Sequence, residues 1–207
     1  MKKQKNILKY LILGLTGIII ISSCNKKITK QEMFDYLKNP ENGLLQEKTI
    51  NGINIKVMFK PSSLFVLQEI NNDTTINDEK IQKLKEQYNK YLYFIISFSQ
   101  NKQELLNLFA GNQQQFGAMV NQLAFDMDNN VSLISSKKDT LPLMDYIYPR
   151  LYGMSNSTDI LFVFKKEELK NFEWLKLTIK DFGLKIGDTK YKFYIKAFKK
   201  IPELKIN

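Results

Sequence analysis

The feature of this sequence that most constrains its fold is a two-residue alternation of apolar and polar side chains. In the segment 53–60, every second residue is apolar and the residues between are mostly polar. The apolar positions are Ile53, Ile55, Val57 and Phe59. Directly before them stands Asn51-Gly52, the pair that a type I′ hairpin turn prefers. Because such alternation buries one face of an antiparallel sheet and leaves the other in water, we predict a β-hairpin over residues 44–59.

Other segments carry the patterns of further strands and of helices. The strand-like segments are 91–99, 131–135, 140–148, 159–164, 175–180 and 190–199. The helix-like segments are 29–37, which opens on a capping box of Thr29 and Glu32, then 64–70, a stretch from residue 78, a short one around 105–109, and 113–127. We therefore predict an α+β fold: a largely antiparallel sheet of about six or seven strands, with helices from the middle of the chain packed on one side.

The residue types that the chain lacks limit its chemistry. It contains no histidine, and Cys24 is its only cysteine. This composition excludes Ser-His-Asp and Cys-His catalysis, histidine-ligated zinc and structural disulfides, so packing alone must hold the fold. Residues 126–130 are rich in Asp and Asn but lack the Gly and the distal Glu of a calcium loop. We therefore expect no cofactor and no metal site.

The N-terminal segment has the composition of an export signal. Lys2, Lys3, Lys5 and Lys9 precede an apolar run over residues 11–21, and small residues follow that run. A basic region, a short apolar region and small residues at a boundary, in this order, make a secretory signal peptide. The apolar run is much shorter than the roughly 20 residues that span a bilayer. We therefore predict cleavage near residue 24.

The residues that close this segment, Ile21-Ser22-Ser23-Cys24, resemble the lipobox of bacterial lipoproteins. The resemblance covers this segment only. It implies that a signal peptidase cuts before Cys24 and that the sulfur of this residue carries a diacylglyceryl group. On this basis we predict a signal peptide over 1–23, a tether over 24–28 and one α+β globular domain over 29–207.

The lipoprotein resemblance also predicts a location, the bacterial cell envelope, with acyl chains on Cys24 holding the protein to a membrane. Residue 25 is Asn, and not the Asp that retains lipoproteins in the inner membrane of enteric bacteria. By that analogy we expect the outer membrane, and the choice between its periplasmic and surface faces stays open.

The chain is basic, with 31 Lys and Arg against 21 Asp and Glu. Arg150 is the only Arg, and the richness in Lys, Asn and Ile is what an AT-rich genome produces. A basic excess favours anionic surfaces such as phospholipid headgroups or acidic glycans. The charge is too diffuse to indicate nucleic acid, which we do not expect as a partner.

A candidate binding surface lies on the two C-terminal strand segments. If they pair, alternation places one set of side chains on their outer face. This set is Lys176, Lys180, Lys192 and Lys196, with the aromatic residues Tyr194 and Phe198 among them. The pattern is open to two interpretations: a platform for an anionic partner or a membrane surface, or the solvated face of an antiparallel sheet that lysines keep soluble.

A second candidate is the segment that contains Tyr146, Tyr148, Arg150 and Tyr152. Tyr and Arg dominate the hot spots of binding interfaces. The alternative is a core strand with tyrosine hydroxyls at its rim and Pro149 at an edge or bend.

Two short segments are similar to the sequon for O-glycosylation of exported proteins in Bacteroidota. They are Asp73-Thr74-Thr75 and Asp139-Thr140-Leu141, so Thr74 and Thr140 are candidate attachment residues.

These observations favour a non-catalytic envelope lipoprotein that binds or scaffolds another component: an envelope protein, or an anionic glycan or lipid. The alternative is a histidine-independent hydrolase acting on glycan or cell-wall substrates through paired carboxylates. A deep pocket lined by two carboxylates would favour the enzyme, and a flat face bearing Tyr and Lys would favour the binding protein.

Overall fold

All strands among the described residues pair antiparallel, and they form two sheets. The computed structural model describes residues 27–72, 77–151 and 153–206. The strands are β1 (Leu45–Ile50), β2 (Ile53–Lys60), β3 (Tyr91–Ser99), β4 (Val131–Ser135), β5 (Thr140–Leu141), β6 (Leu143–Ile147), β7 (Thr158–Lys165), β8 (Trp174–Ile179) and β9 (Thr189–Tyr194). The five-stranded sheet has the order β1-β2-β3-β7-β6, and the four-stranded sheet has the order β5-β4-β8-β9.

Helices connect or flank these strands, so the predicted α+β class is confirmed. The helices are α1 (Lys30–Lys38), α2 (Ser62–Asn71), α3 (Asp78–Tyr88), α4 (Gln113–Phe125) and α5 (Ile195–Phe198), with 3₁₀ turns at Pro40–Asn42, Leu105–Phe109, Met127–Asn129 and Leu169–Asn171. Within the described ranges, no helix has the length and apolar character needed to cross a membrane. The predicted signal peptide, Cys24, Thr74 and Tyr152 lie outside the described residues.

The prediction of one sheet with six or seven strands is wrong, because the described strands form sheets of five and four, and Pro142 marks one point where the chain changes sheet. The segment 140–148 was predicted as a single strand, but it divides at Pro142, which has no N–H to donate to a ladder. Leu141 pairs with Leu133 in the four-stranded sheet, whereas Leu143 pairs with Phe164 in the five-stranded sheet. The chain thus passes from one sheet to the other at this proline.

The two sheets pack face to face around one hydrophobic cluster. The rings of Phe94 in β3 and Phe193 in β9 have centroids 5.2 Å apart, and both side chains are fully buried. The buried residues of β2, β7, β8 and β9 recur at every second position, and β3 departs from this pattern only at Tyr93, which is also buried. Burial of these side chains is the main source of stability in a domain without disulfides.

The helices do not all lie on one side, which corrects the second part of the predicted architecture. Phe65 of α2 packs on Tyr93, on the outer side of the five-stranded sheet, with ring centroids 4.3 Å apart. Helix α4 instead lines a depression with Phe182 and Gly183, in the loop that joins β8 to β9. Helices α1 and α5 lie at the opposite end of those strands, where Tyr36 and Tyr194 line one depression.

The predicted hairpin and the predicted capping box are confirmed. Asn51 and Gly52 adopt φ values of 50° and 79°, the positive values that a type I′ turn requires. At the start of α1, Thr29 Oγ1 accepts from the N–H of Glu32 at 3.2 Å, and Glu32 Oε2 accepts from the N–H of Thr29 at 2.7 Å. The last residue of the predicted tether, Ile28, is part of the folded structure, because its N–H donates to Glu203 O at 2.8 Å.

The edge strands β1 and β9 lie side by side and are joined by side chains. The amide of Gln46 donates to the carbonyl oxygen of Lys192 and accepts from the N–H of the same residue at 3.3 Å. Lys48 Nζ donates to the carbonyl oxygen of Lys190 at 2.8 Å. These contacts occupy backbone groups of an edge strand, which otherwise invite pairing with another chain.

Candidate binding surface

The outer face of β8 and β9 presents aromatic and lysine side chains in register. Trp174 pairs with Tyr194, and Lys176 pairs with Lys192. The residues between them point inward and are fully buried, as in the case of Leu175, which is 0% exposed. Alternation therefore places Lys176, Lys192 and Tyr194 as the sequence predicts.

Lysine ammonium groups and aromatic rings alternate along this face. We call Lys176, Trp174, Lys192, Tyr194 and Lys196, in this order, the basic–aromatic row. Lys176 Nζ and Lys192 Nζ lie 5.8 Å and 4.7 Å from the Trp174 ring centroid. Lys192 Nζ and Lys196 Nζ lie 5.1 Å and 5.6 Å from the Tyr194 ring centroid. All four distances fall within the roughly 6 Å range of a cation–π interaction.

The charge of the basic–aromatic row is not neutralised by its sheet. None of the four strands of this sheet contains Asp or Glu. Among the described residues, the ion pairs are Lys56–Glu47, Lys83–Glu79 and Lys170–Glu168, and none of them includes a lysine of the row. The ammonium groups are thus available to an external anion.

Thr140 shares the sheet with the basic–aromatic row. It is exposed in β5 and pairs with Ile134, which in turn pairs with Lys176. Thr140 is accessible to solvent, and its glycosylation stays a prediction.

A depression of about 280 Å³ adjoins the other end of the row and is lined by Tyr36, Tyr194 and Lys196, among others.

Three of the six residues predicted for this face lie outside the strands. Strand β9 ends at Tyr194, and the predicted continuation to residue 199 is wrong because residues 195–198 form the single turn of α5. Lys196 stays beside Tyr194, but the ring of Phe198 packs edge-on against Phe59 at 4.5 Å between centroids. Lys180 follows the end of β8 and donates to Asn129 O at 3.2 Å, away from the row.

The described members of the second candidate segment differ in their exposure to solvent. Tyr146 is half-buried and stacks on Phe162 with ring centroids 5.7 Å apart. Burial, together with nearby aspartates, raises the pKa of the Tyr146 hydroxyl, although the backbone of Met127 acts in the opposite direction. Tyr148 packs partly buried against the core, whereas Arg150 is exposed. Tyr146 lies in β6, the edge strand of the five-stranded sheet, and Tyr148 and Arg150 follow the end of that strand, so binding by this segment stays a prediction.

A depression of about 650 Å³ lies between α2, α3 and the C-terminal segment. Its lining includes the carboxylates of Asp78 and Glu203, and both residues are exposed to solvent. Lys27 and Lys85 also line it. Across the part of the chain that the structure describes, no group of three or more acidic or cysteine residues is arranged to hold a metal ion.

Trp174 is the surface residue that the sequence reasoning missed. Its position has the same parity as Lys176, and it is the only Trp of the chain. Alternation counted backwards from Lys176 would have placed it on the face. The link between Gln46 and Lys192 has no such signal, because the two residues are 146 positions apart.

Comparisons with protein-family models, with curated proteins and with solved structures find no match to this chain.

Proposed function

We propose that this chain is a bacterial envelope lipoprotein, anchored by acyl chains on Cys24, which binds an anionic partner without catalysing a reaction. The observation that carries the proposal is the basic–aromatic row, in a sheet whose strands contain no acidic residue. The anchor and the outer-membrane location rest on the N-terminal sequence.

The basic–aromatic row should bind an anion with a smaller loss of entropy than an ordinary lysine-rich surface would. A free lysine side chain gives up roughly 1.5–2 kcal/mol of rotamer entropy when it is fixed. Each cation–π contact at an exposed site contributes about 0.5–1 kcal/mol and restricts the ammonium group before the partner arrives. Lys192 is held in this way between Trp174 and Tyr194. A preordered set of cations binds an anion with a smaller entropy loss.

The position of the row also favours binding over hydrolysis. The row lies on the outer face of an antiparallel sheet, and only its end at Tyr194 and Lys196 lines a depression. Catalytic acids are typically held in desolvated clefts, whereas Asp78 and Glu203, in the depression of about 650 Å³, are both exposed. The proposal therefore assigns the protein a scaffolding or attachment role.

The binding part of the proposal is tested with three substitutions made together: Lys176→Gln, Lys192→Gln and Lys196→Gln. We expect the detergent-solubilised protein to bind an acidic polysaccharide, heparin, and the triple variant to bind it at least tenfold more weakly. The matched control changes Lys56, Lys83 and Lys102 to Gln, because these lysines are exposed and lie outside the four-stranded sheet. Equal weakening in both variants would mean that net charge, and not the row, determines binding.

The anchor is tested separately with Cys24→Ser. We expect wild-type protein to incorporate a fatty-acid probe in cells and the variant to incorporate none. Unchanged labelling of the variant would refute the lipoprotein assignment.

A further inference from the structure

We infer that the anionic partner of the basic–aromatic row is the phospholipid headgroup layer of the membrane that carries the anchor. The domain would then lie with β8 and β9 towards its own membrane. This inference rests on the proposed function and specifies its partner.

The rings in the row are placed for a headgroup layer and not for a stacked sugar. Trp174 has the ammonium groups of Lys176 and Lys192 within 6 Å of its centroid, and Tyr194 has those of Lys192 and Lys196. A sugar ring that stacked on either aromatic ring would have to displace a cation. A phosphate oxygen needs no ring face and binds the ammonium groups directly. Trp and Tyr are also the residues enriched at the headgroup level of membrane proteins.

The row ends close to the place where the chain enters the fold. Ile28 donates to Glu203 O and accepts from the N–H of Lys205 at 2.7 Å, so the entry point is fixed beside the C-terminal segment. Tyr36, on α1, donates its hydroxyl to Lys200 O at 3.1 Å. Tyr36 also lines one depression with Tyr194 and Lys196 of the row. Helix α1 therefore connects the entry point with the end of the row.

The distances along this connection are short. From Lys30 to Tyr36 the helix rises about 9 Å at 1.5 Å per residue. The chain from Cys24 to Lys27 spans at most about 11 Å when fully extended. An acyl group on Cys24 would hold this end of the domain within one or two headgroup layers of the bilayer. The row can then reach the surface by rotation of the domain alone.

Other lysines extend the positive charge around the entry point. They are Lys27, Lys30, Lys199, Lys200 and Lys205, and all of them are exposed. Clusters of four to eight Lys or Arg beside a membrane attachment point are typical of binding to anionic lipids. The same segments also expose Glu32, Asp35, Glu41 and Glu203, so the attraction to an anionic surface rests mainly on the row.

Trp174 reports on this orientation, because it is the only Trp of the chain. Full-length lipidated protein is reconstituted into vesicles of phosphatidylcholine alone or of equal parts phosphatidylcholine and phosphatidylglycerol. In the anionic vesicles at low salt, we expect brominated phospholipid to quench Trp174 emission and acrylamide to quench it several-fold less than in neutral vesicles. High salt should remove both effects, since screening shortens the range of the attraction.

Two variants separate orientation from anchoring and folding. The triple change Lys176→Gln, Lys192→Gln and Lys196→Gln should leave the protein in the vesicles but restore full acrylamide quenching of Trp174. The control with Lys56, Lys83 and Lys102 changed to Gln should behave as wild type. A thermal melt that matches wild type shows that either variant is folded.

The possible results distinguish the inference from the proposed function. If Trp174 is equally accessible to acrylamide in neutral and anionic vesicles, the inference is overturned. If heparin binding by the solubilised protein still depends on the three lysines in that case, the proposed function stands with a different anionic partner. If heparin binding is also independent of them, both are overturned.

Discussion

The side-chain amide of Gln46 forms two hydrogen bonds with one residue, Lys192, donating to its carbonyl oxygen and accepting from its N–H. The amide group thus takes the position of a neighbouring peptide unit along the edge of β9. It orders the backbone that carries a central lysine of the basic–aromatic row. The stability of this edge and the geometry of the row are therefore linked.

Replacing Gln46 by Met keeps the length of the side chain but removes both hydrogen bonds. Net contributions of about 0.5–1.5 kcal/mol for each of the two bonds predict a loss of roughly 1–3 kcal/mol in the free energy of unfolding. The measurement is denaturant unfolding, together with amide hydrogen exchange at Lys192, which should become faster. Gln31→Met is the control, because Gln31 is exposed and bonds only to Asp35 on the same helix. Unchanged exchange at Lys192 would show that the edge does not depend on the amide.

The loop between β8 and β9 is held by one carboxylate. Asp181 Oδ1 accepts from the N–H groups of Gly183, Leu184 and Lys185 at 3.1, 2.9 and 3.1 Å, and Oδ2 accepts from Gly187 at 3.0 Å. Partial burial acts to raise the pKa of this carboxyl, but the four hydrogen bonds act in the opposite direction and the pKa is lowered. The folded state therefore prefers the ionised form.

A lowered pKa at Asp181 predicts a definite dependence of stability on pH. The contribution is present above the ordinary pKa of an aspartate, about 3.9, and is lost as the pH falls through the lower pKa of the folded state. Asp181→Asn should destabilise the protein at pH 7, and its difference from wild type should shrink below about pH 4. Asp188→Asn is the control, since Asp188 accepts only the N–H of Asp181 at 3.2 Å. The measurement is urea unfolding over a range of pH, and a difference that does not change with pH would contradict the prediction.

The raised pKa of Tyr93 leads us to predict that the protein loses stability in alkaline solution. Burial, followed by the neighbouring Tyr88 and Tyr91, raises the pKa of its hydroxyl to about 12. Because the unfolded chain ionises near pH 10, this contribution to stability is full below that pH and is lost as the pH rises towards 12. Tyr93→Phe should weaken the dependence, although it also removes the hydrogen bond to Tyr88 O at 3.1 Å. A ¹³C titration of the Tyr93 ring that gives a midpoint near pH 10 would refute the prediction.

Trp174→Leu tests whether the rings order the lysines. The indole is partly exposed, so we expect a change in the free energy of unfolding of less than about 1 kcal/mol. Heparin binding should weaken by a few-fold, because Lys176 and Lys192 lose the ring that restrains them. Side-chain NMR of the lysine ammonium groups should show greater mobility in the variant. Equal mobility in both proteins would mean that the contacts with Trp174 do not order these lysines.

Local patterns predicted the parts of the fold that short-range physics determines. The hairpin at Asn51-Gly52 depends on two positive φ values, and the capping box at Thr29 depends on residues three positions apart. Alternation likewise identified the buried residues of β2 and β8, because side-chain direction in a strand has a period of two. Each of these features is encoded within one segment.

Alternation could not predict how the segments are shared between sheets. It reports which side chains are buried, and it carries no information on the neighbouring strand. The error at Pro142 has this origin, whereas the error beyond Tyr194 arises because a helical turn was taken for a strand. In α5, Ile195 and Ala197 are buried and Lys196 is exposed, so a single helical turn imitates the pattern of a strand. The row itself was found in part, and Trp174 was missed because its segment was taken to begin one residue later.

The two sheets are connected by the chain itself at Pro142 and by side-chain hydrogen bonds between the edge strands β1 and β9. At Pro142 the covalent chain itself runs from one sheet into the other. At the opposite edge, side chains such as Gln46 and Lys48 hold β9. Force that pulls the sheets apart should therefore separate them first at the edge between β1 and β9, where side-chain hydrogen bonds join the strands. A partner that binds Lys192 would stabilise the edge between β1 and β9 and slow the first step of mechanical unfolding.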